Sequence, residues 1–257
     1  MKYIDCHSHL SFLKENELNE VIVEGKKENI KSWVMGGYNL EDWNRQLKVK
    51  KEYPSSIYTC LGLHPWEVVK LSKKEINLQL ESLSDMLDHA DFLGETGLDF
   101  FMENGRLESA KQKEVFEQHL SLSSTKPFVL HIVQAHGAAL EILKNYSPKG
   151  FVHSFSGSYE VAKGYIDQGL LLSFSSNICS GKFSKARESL MKIPIESILI
   201  ESDSPSGSNN LSSPVKTFFD TAQEVAKLRG IELESLLDQV TKNFESLSGN
   251  YDRPGIL

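Results

Sequence analysis

Phe128-Val129-Leu130, closed by His131, and Ile198-Leu199-Ile200, closed by Glu201, are unbroken apolar runs that each stop on a polar, chemically capable side chain. A strand exposed on one face alternates apolar with polar residues, whereas an unbroken run marks a parallel strand covered on both faces. Outward from these two, short β-rich runs recur at Tyr3–Cys6, Ser32–Gly36, Ile57–Leu61, Asp91–Gly94, Gly150–Val152 and Leu170–Ser173, and the first two extend over Pro127–Leu130 and Ser197–Ile200. The stretches between them are amphipathic, among them Lys73 to Asp88, Leu107 to Ser123, Ala138 to Asn145 and Val215 to Arg229. In the first of these Ile76, Leu80, Leu83 and Leu87 form one stripe that can lie on a sheet.

Strand followed by helix, eight times over, predicts an α/β fold of the (β/α)8 TIM-barrel type. The 257 residues match the roughly 250 that such a barrel needs, so residues 1–257 read as a single domain. Leu233 to Leu247 reads as an additional C-terminal helix and Tyr251 to Leu257 as an irregular tail. The alternative architecture is an open doubly wound sheet, but no Gly-rich phosphate loop follows the first strand, where a nucleotide fold needs one.

Composition narrows the function. With 40% hydrophobic and 25% charged residues the chain is of ordinary globular type, and it shows neither a signal peptide nor an apolar run long enough for a membrane span. A soluble, cytoplasmic monomer is the expectation. Cys6, Cys60 and Cys179 are odd in number and far apart, which reads as buried free thiols and not as a disulfide framework or a cysteine zinc site. A net charge of −7 disfavours a broad duplex-binding surface. It does not exclude a nucleic-acid substrate, because bound cations would add positive charge that the side-chain count omits.

The chemistry gathers where the strands end. The first strand runs into Asp5-Cys6-His7-Ser8-His9, and alternation along an extended chain turns His7 and His9 to one side. Two imidazoles so placed can share a metal ion. Glu95 follows the fourth strand between two glycines, and burying that carboxylate unpaired would cost several kcal/mol, so a cation or a basic group must meet it. His131 closes the fifth strand and His153 the sixth, while the eighth delivers Glu201 and Asp203 two residues apart. Each alone has a bland explanation, as a core histidine or a turn-capping Asp before Ser-Pro. Jointly, His7, His9, Glu95, His131, His153 and Asp203 come from five strands at the end where barrel enzymes hold their catalytic groups. Six N and O ligands exceed one tetrahedral ion, and a carboxylate can bridge two metals roughly 3.5–4 Å apart, which favours two divalent ions and a metal-activated water. His89, His119 and His136 fall in or beside predicted helices and read as packing or solvent residues.

These motifs, with Gly62-Leu63-His64-Pro65, Gly94-Glu95-Thr96-Gly97-Leu98-Asp99, His153-Ser154-Phe155-Ser156-Gly157-Ser158 and Glu201-Ser202-Asp203-Ser204-Pro205, resemble in order and spacing the TatD family of metal-dependent deoxyribonucleases, within the wider amidohydrolase-type barrels. The resemblance implies one metal on His7, His9, Glu95 and Asp203, and a second on His131 and His153 with Glu95 bridging. It implies Asp203 as the residue that orients or deprotonates the attacking water, Glu201 as an acid near the metals and His64 as a contact to the substrate phosphate; read without it, His64-Pro65 is a turn. Its usual cations are Mg2+ or Mn2+, and the histidine-rich set also suits Zn2+. DNA ends are the implied substrate. Trp66 follows a mouth loop and is a candidate base-stacking contact.

Two departures stand out. Val133 and Gln134 replace the Arg and Asp usual in the family, and Ser206-Gly207-Ser208-Asn209-Asn210 replaces an Arg-containing stretch. They leave two further readings open: a metal-dependent ester or amide hydrolase, such as a D-aminoacyl-tRNA deacylase, and a metal-binding scaffold of weak activity.

Overall fold

Strands form where the apolar runs lie. The computed structural model describes residues 2–122, 125–205 and 213–248, and its strands are β1 (Tyr3–Ser8), β2 (Ile30–Met35), β3 (Ile57–Tyr58), β4 (Cys60–Leu61), β5 (Phe92–Asp99), β6 (Phe128–Val133), β7 (Gly150–Val152), β8 (Leu171–Phe174) and β9 (Ile198–Ile200). Every pairing between neighbours is parallel, in the order β1-β2-β3 and β4-β5-β6-β7-β8-β9. The helices are α1 (Glu15–Lys27), α2 (Leu40–Glu52), α3 (Pro65–Lys70), α4 (Lys73–Asp85), α5 (Ser109–Leu122), α6 (His136–Leu143), α7 (Tyr159–Ile166), α8 (Ser184–Lys192), α9 (Pro214–Arg229) and α10 (Leu233–Ser248). No helix among the described residues is long and apolar enough to cross a membrane.

The expected eight-unit barrel is present, with its third strand divided. Thr59 separates β3, which pairs with β2, from β4, which pairs with β5. The amide of Gln46, on α2, spans the interruption by donating to Gly36 O at 2.9 Å and accepting from Cys60 N–H at 2.9 Å. A side chain thus supplies hydrogen bonds that a continuous ladder would have made. Closure comes from the chain after β9: Asp203 N–H donates to His7 O and His9 N–H to Ser204 O, both at 3.0 Å. These bonds join the last strand to the first and remove the open-sheet alternative.

Helices cover the outer faces. Ser72 caps α4 in a reciprocal pair with Glu75, and α9 starts on Ser213-Pro214 and stops on Gly230 at φ 63°. The extra helix α10 packs on β1 and β9. On it, Asn243 donates to Ile195 O and Ile198 O at 2.8 Å, and the Phe244 ring lies 5.6 Å from that of Phe92. Cys6 and Cys60 are buried free thiols as expected, but Cys179 is exposed, since it falls in a 3-10 turn after β8 instead of on an inward-facing strand. Residues 206–210 and the tail from Tyr251 to Leu257 lie outside the described residues.

Candidate metal centre

β1 aims His7 into the barrel mouth and His9 follows directly behind it, so that their rings stand 5.0 Å apart at nearly a right angle. Glu95 lies inside β5 and not after it, because that strand continues through Asp99. The strand can run so close to its neighbour only because Gly97 sits at φ 142°, where a Cβ would strike the carbonyl of His131. Gly36, at the end of β2, serves the same purpose at the site. A Cβ there would lie 2.7 Å from Cε1 of both His7 and His9.

Glu95 is the centre of the cluster, and its two oxygens face different histidines. Oε1 is 3.1 Å from His7 Nε2 and 3.7 Å from His9 Nε2. Oε2 is 3.0 Å from His153 Nε2, 3.4 Å from His131 Nδ1 and 3.4 Å from His64 Nε2. Asp203, held at φ 49° after β9, places Oδ1 3.4 Å from His9 Nε2 and 3.9 Å from His7 Nε2. All six residues expected at strand ends therefore meet at one place. Donor atoms of His7, His9 and Glu95, of His7, His153 and Asp203, and of His64, Glu95 and His131 each fall within 4.8 Å of one another.

The donor set fits divalent cations. At its centre His7 Nε2 and Glu95 Oε1 lie 3.1 Å apart, both buried and without a hydrogen-bond partner. Each such orphan costs about 1–3 kcal/mol unless something meets it. His131 Nδ1 and His153 Nε2 face each other at 2.9 Å, an arrangement that two lone pairs tolerate only with a proton or a cation between them.

Residues behind the cluster fix which nitrogen faces inward. Asp99 Oδ2 lies 3.2 Å from His131 Nε2, and a carboxylate only accepts, so that nitrogen carries the proton and Nδ1 presents its lone pair. Glu201 Oε1 stands 3.4 Å from His153 Nδ1 and accepts the Ser154 N–H at 2.8 Å; the residue is buried behind His153 and does not line the cavity. His64 caps α3 by accepting the Trp66 N–H on Nδ1 at 3.1 Å, which leaves Nε2 as the protonated, donating nitrogen. The isolated His64-Pro65 sequence suggests a turn; in the fold it is a helix start that points an imidazole at Glu95.

The electrostatics express one demand. Burial alone would raise the pKa of Glu95, but His7, His153 and His64 and a hydrogen bond from His131 outweigh it and hold the carboxyl well below its usual range. Asp203 is likewise lowered, against its burial, by His9, His153 and His7. Burial lowers the proton affinity of His9, yet Asp203 and Glu95 carry it up to about 9. His153 rises well above the ordinary imidazole value through Glu95 and Glu201. His64 behaves differently: burial and the nearby His131 bring it down to about 4, so it stays neutral.

Sequence reasoning missed Asp99, which besides His131 accepts the Trp66 indole N–H at 2.7 Å. It also missed Phe12, Tyr38 and Phe101, which line the cavity beside Trp66. The available clue was position: Tyr38 follows β2 and Phe101 follows β5, as Trp66 follows β4. His119 and His136 sit apart in the helical layer and His89 is exposed, as expected.

Residues 4–249 match the family model described as TatD related DNase. An uncharacterized metal-dependent hydrolase of Methanocaldococcus jannaschii, MJ1582, is 30% identical over 255 residues, covering 95% of each chain. The human deoxyribonuclease TATDN3 is 24% identical over 256 residues, covering 93% of this chain and 92% of its own. Among solved structures the TatD homolog YJJV of Escherichia coli superposes with a TM-score of 0.85 at 24% identity, over 95% of this chain and 97% of that one.

Proposed function

Because the chain belongs to the TatD related DNase family and is a metal-dependent hydrolase, we propose that it is a deoxyribonuclease that removes nucleotides from DNA ends by attack of water on a phosphodiester. His7, His9, Glu95 and Asp203 would hold one divalent cation, and His131 and His153 a second, with Glu95 shared. Mg2+, Mn2+ and Zn2+ all suit this set. The observation that carries the reading is the division of Glu95, whose Oε1 faces His7 and His9 while Oε2 faces His131 and His153.

Cations held there would acidify water and neutralise charge growing on the phosphoryl oxygens. The protein's own groups supply the rest. Asp203, with 22% of its side chain exposed, is the carboxylate positioned to take the proton from the attacking water. Neutral His64 offers its Nε2–H to a phosphate oxygen from the opposite side of Glu95. Glu201 and Asp99 hold His153 and His131 in the orientation that the cluster needs. Trp66 supplies an exposed ring face for a base at the mouth.

Purified protein with Mg2+, Mn2+ or Zn2+ is expected to shorten end-labelled single-stranded DNA, and Asp203→Asn to stop this while the fold is retained by circular dichroism. No shortening with any of the three metals removes the nuclease reading. A second reading, hydrolysis of a carboxylic ester such as D-aminoacyl-tRNA, draws on Val133 and Gln134, which leave that stretch of the cavity wall without a cation. Turnover of that ester without DNA shortening would select it. A metal-binding scaffold of weak activity would use the same ligand atoms, and rapid metal-dependent turnover of any phosphodiester removes it.

A further inference from the structure

The cavity above Glu95 has a volume of about 880 Å³, and none of its described lining residues is Lys or Arg. Residues 206–212, which follow it in the chain, contain neither type. One wall is instead an arc of rings: the centroids of His9, Phe12, Tyr38, His64 and Trp66 succeed one another at 6.0, 6.1, 5.3 and 5.0 Å. Two cations do approach this arc, and both are engaged. Arg45 lies 5.0 Å from the Phe12 centroid and is paired with Glu41 at 2.6 Å. Lys70 lies 5.8 Å from the Tyr38 centroid and is paired with Glu67 at 2.7 Å.

The rings are displayed to solvent and held in place. Phe12 is 47% exposed, Trp66 43% and Phe101 72%, although large apolar side chains ordinarily turn inward. The Trp66 indole cannot swing freely, because its N–H is donated to buried Asp99. The same cavity is also lined by neutral hydrogen-bonding groups, Ser154, Ser156, Asn177 and Gln134.

A protein that tracks a nucleic-acid backbone gains affinity with every phosphate it neutralises, and binding to single strands then weakens with log-log salt slope of about −0.7 per phosphate. Among the described residues this cavity has no Lys or Arg with which to do so, and its histidines face Glu95 and Asp203. A base stacked on an aromatic ring contributes about 1–3 kcal/mol whatever the chain length. We propose that the site takes short nucleotide esters, one scissile phosphate flanked by unpaired bases that stack on the Phe12, Tyr38 and Trp66 arc, with no track for a longer polyanion. The phosphate in this substrate rests on the nuclease reading above; the stacking arc and the missing track do not.

Trp33 and Trp43 are fully buried, so quenching of protein fluorescence by a bound base reports mainly on Trp66. In Mg2+, a deoxynucleoside monophosphate and a cleavage-resistant phosphorothioate oligonucleotide of about 20 residues are expected to quench with Kd values within about threefold of each other and salt slopes no steeper than about −1, while a base-free sugar phosphate does not quench. Phe12→Ala is expected to raise KM by about tenfold with kcat nearly unchanged, and Val133→Arg to steepen the salt slope by about one and to favour the longer chain. Affinity that climbs with length at a slope steeper than about −3 in the unaltered protein overturns the proposal, as does an absence of quenching by the mononucleotide. Quenching with the expected pattern but no hydrolysis under any metal upholds the base-binding arc and removes the nuclease reading instead.

Discussion

Two sets of buried histidines occupy this barrel, and their surroundings drive them in opposite directions. In the helical layer, loss of solvent takes His119 and His136 down to a pKa of about 4, and each remains a neutral ring. In the mouth, burial acts on His9 and His153 in the same sense, but Asp203, Glu95 and Glu201 reverse the outcome. What separates the two regions is therefore not burial but a concentration of carboxylates with no lysine or arginine among the described residues that line the cavity. Such a place demands positive charge. Divalent cations meet that demand with directed bonds, whereas protons on the imidazoles would occupy the nitrogens needed as ligands.

The sharpest way to break this contrast is to remove the charge at its centre. Glu95→Gln keeps the shape of the side chain but cancels the charge between His7, His9, His131 and His153. Elemental analysis is expected to show the bound metal lost, and turnover of any ester substrate to fall by more than about a thousandfold. A variant that still held its full complement of metal would show that the mouth does not depend on this carboxylate. Chelation of the unaltered protein is the milder form of the same experiment. It should lower stability by a few kcal/mol, about RT ln(1 + [metal]/Kd), read as a fall in Tm that added metal restores.

A smaller effect is expected one layer back. Asp99→Asn leaves every ligand in place but allows the amide to donate as well as accept, so the proton on His131 Nε2 is no longer enforced. Partners of this kind typically set about 10–100-fold in metal affinity. The same variant loosens the Trp66 indole, so metal affinity and Trp66 fluorescence should change together. A change in one without the other would separate the two roles of Asp99.

How much of this is legible in the sequence follows from how local each feature is. Phe128-Val129-Leu130 ending on His131 is a contiguous signal, so strand and burial are read together, although β6 runs on through Val133 and leaves His131 inside it. The stripe expected over Lys73 to Asp88 is equally local, although α4 ends at Asp85 and Leu87 falls in a 3-10 turn, and so is the helix expected over Leu233 to Leu247, which runs to Ser248. The break at Thr59 is not, because it depends on which neighbours β3 and β4 pair with and on Gln46 from another element. The depth of Glu95 within β5 escaped for a similar reason: glycines that normally punctuate a strand are here what lets it approach β6. The six candidate ligands can be named one by one from the sequence, but the arc of Phe12, Tyr38 and Trp66 is assembled from separate segments and exists only in three dimensions. Cys179 was misplaced because a thiol's usual burial does not apply to a short exposed turn.

The smallest effect lies on the other side of the contrast, in the helical layer, and it tests whether burial there acts unopposed. His119 is fully buried; its Nε2 accepts the Leu63 N–H at 3.0 Å and its Nδ1 lies 2.8 Å from Val115 O, so the neutral ring is satisfied at both nitrogens. Burial lowers its folded pKa to about 4 from an ordinary 6.5, with the bond to Val115 acting weakly the other way. The unfolded chain then binds a proton in the interval where the folded chain does not, so stability from this residue is complete above pH 6.5 and drains away as pH falls toward 4. By pH 5 the loss is on the order of 1–2 kcal/mol. His119→Gln, whose carbonyl can still receive the Leu63 N–H, should be less stable at pH 8 but should lose less on acidification, as measured by urea midpoints across that range. Parallel pH curves for the two proteins would mean that His119 takes up its proton equally readily folded and unfolded, and the opposition between the two histidine sets would dissolve.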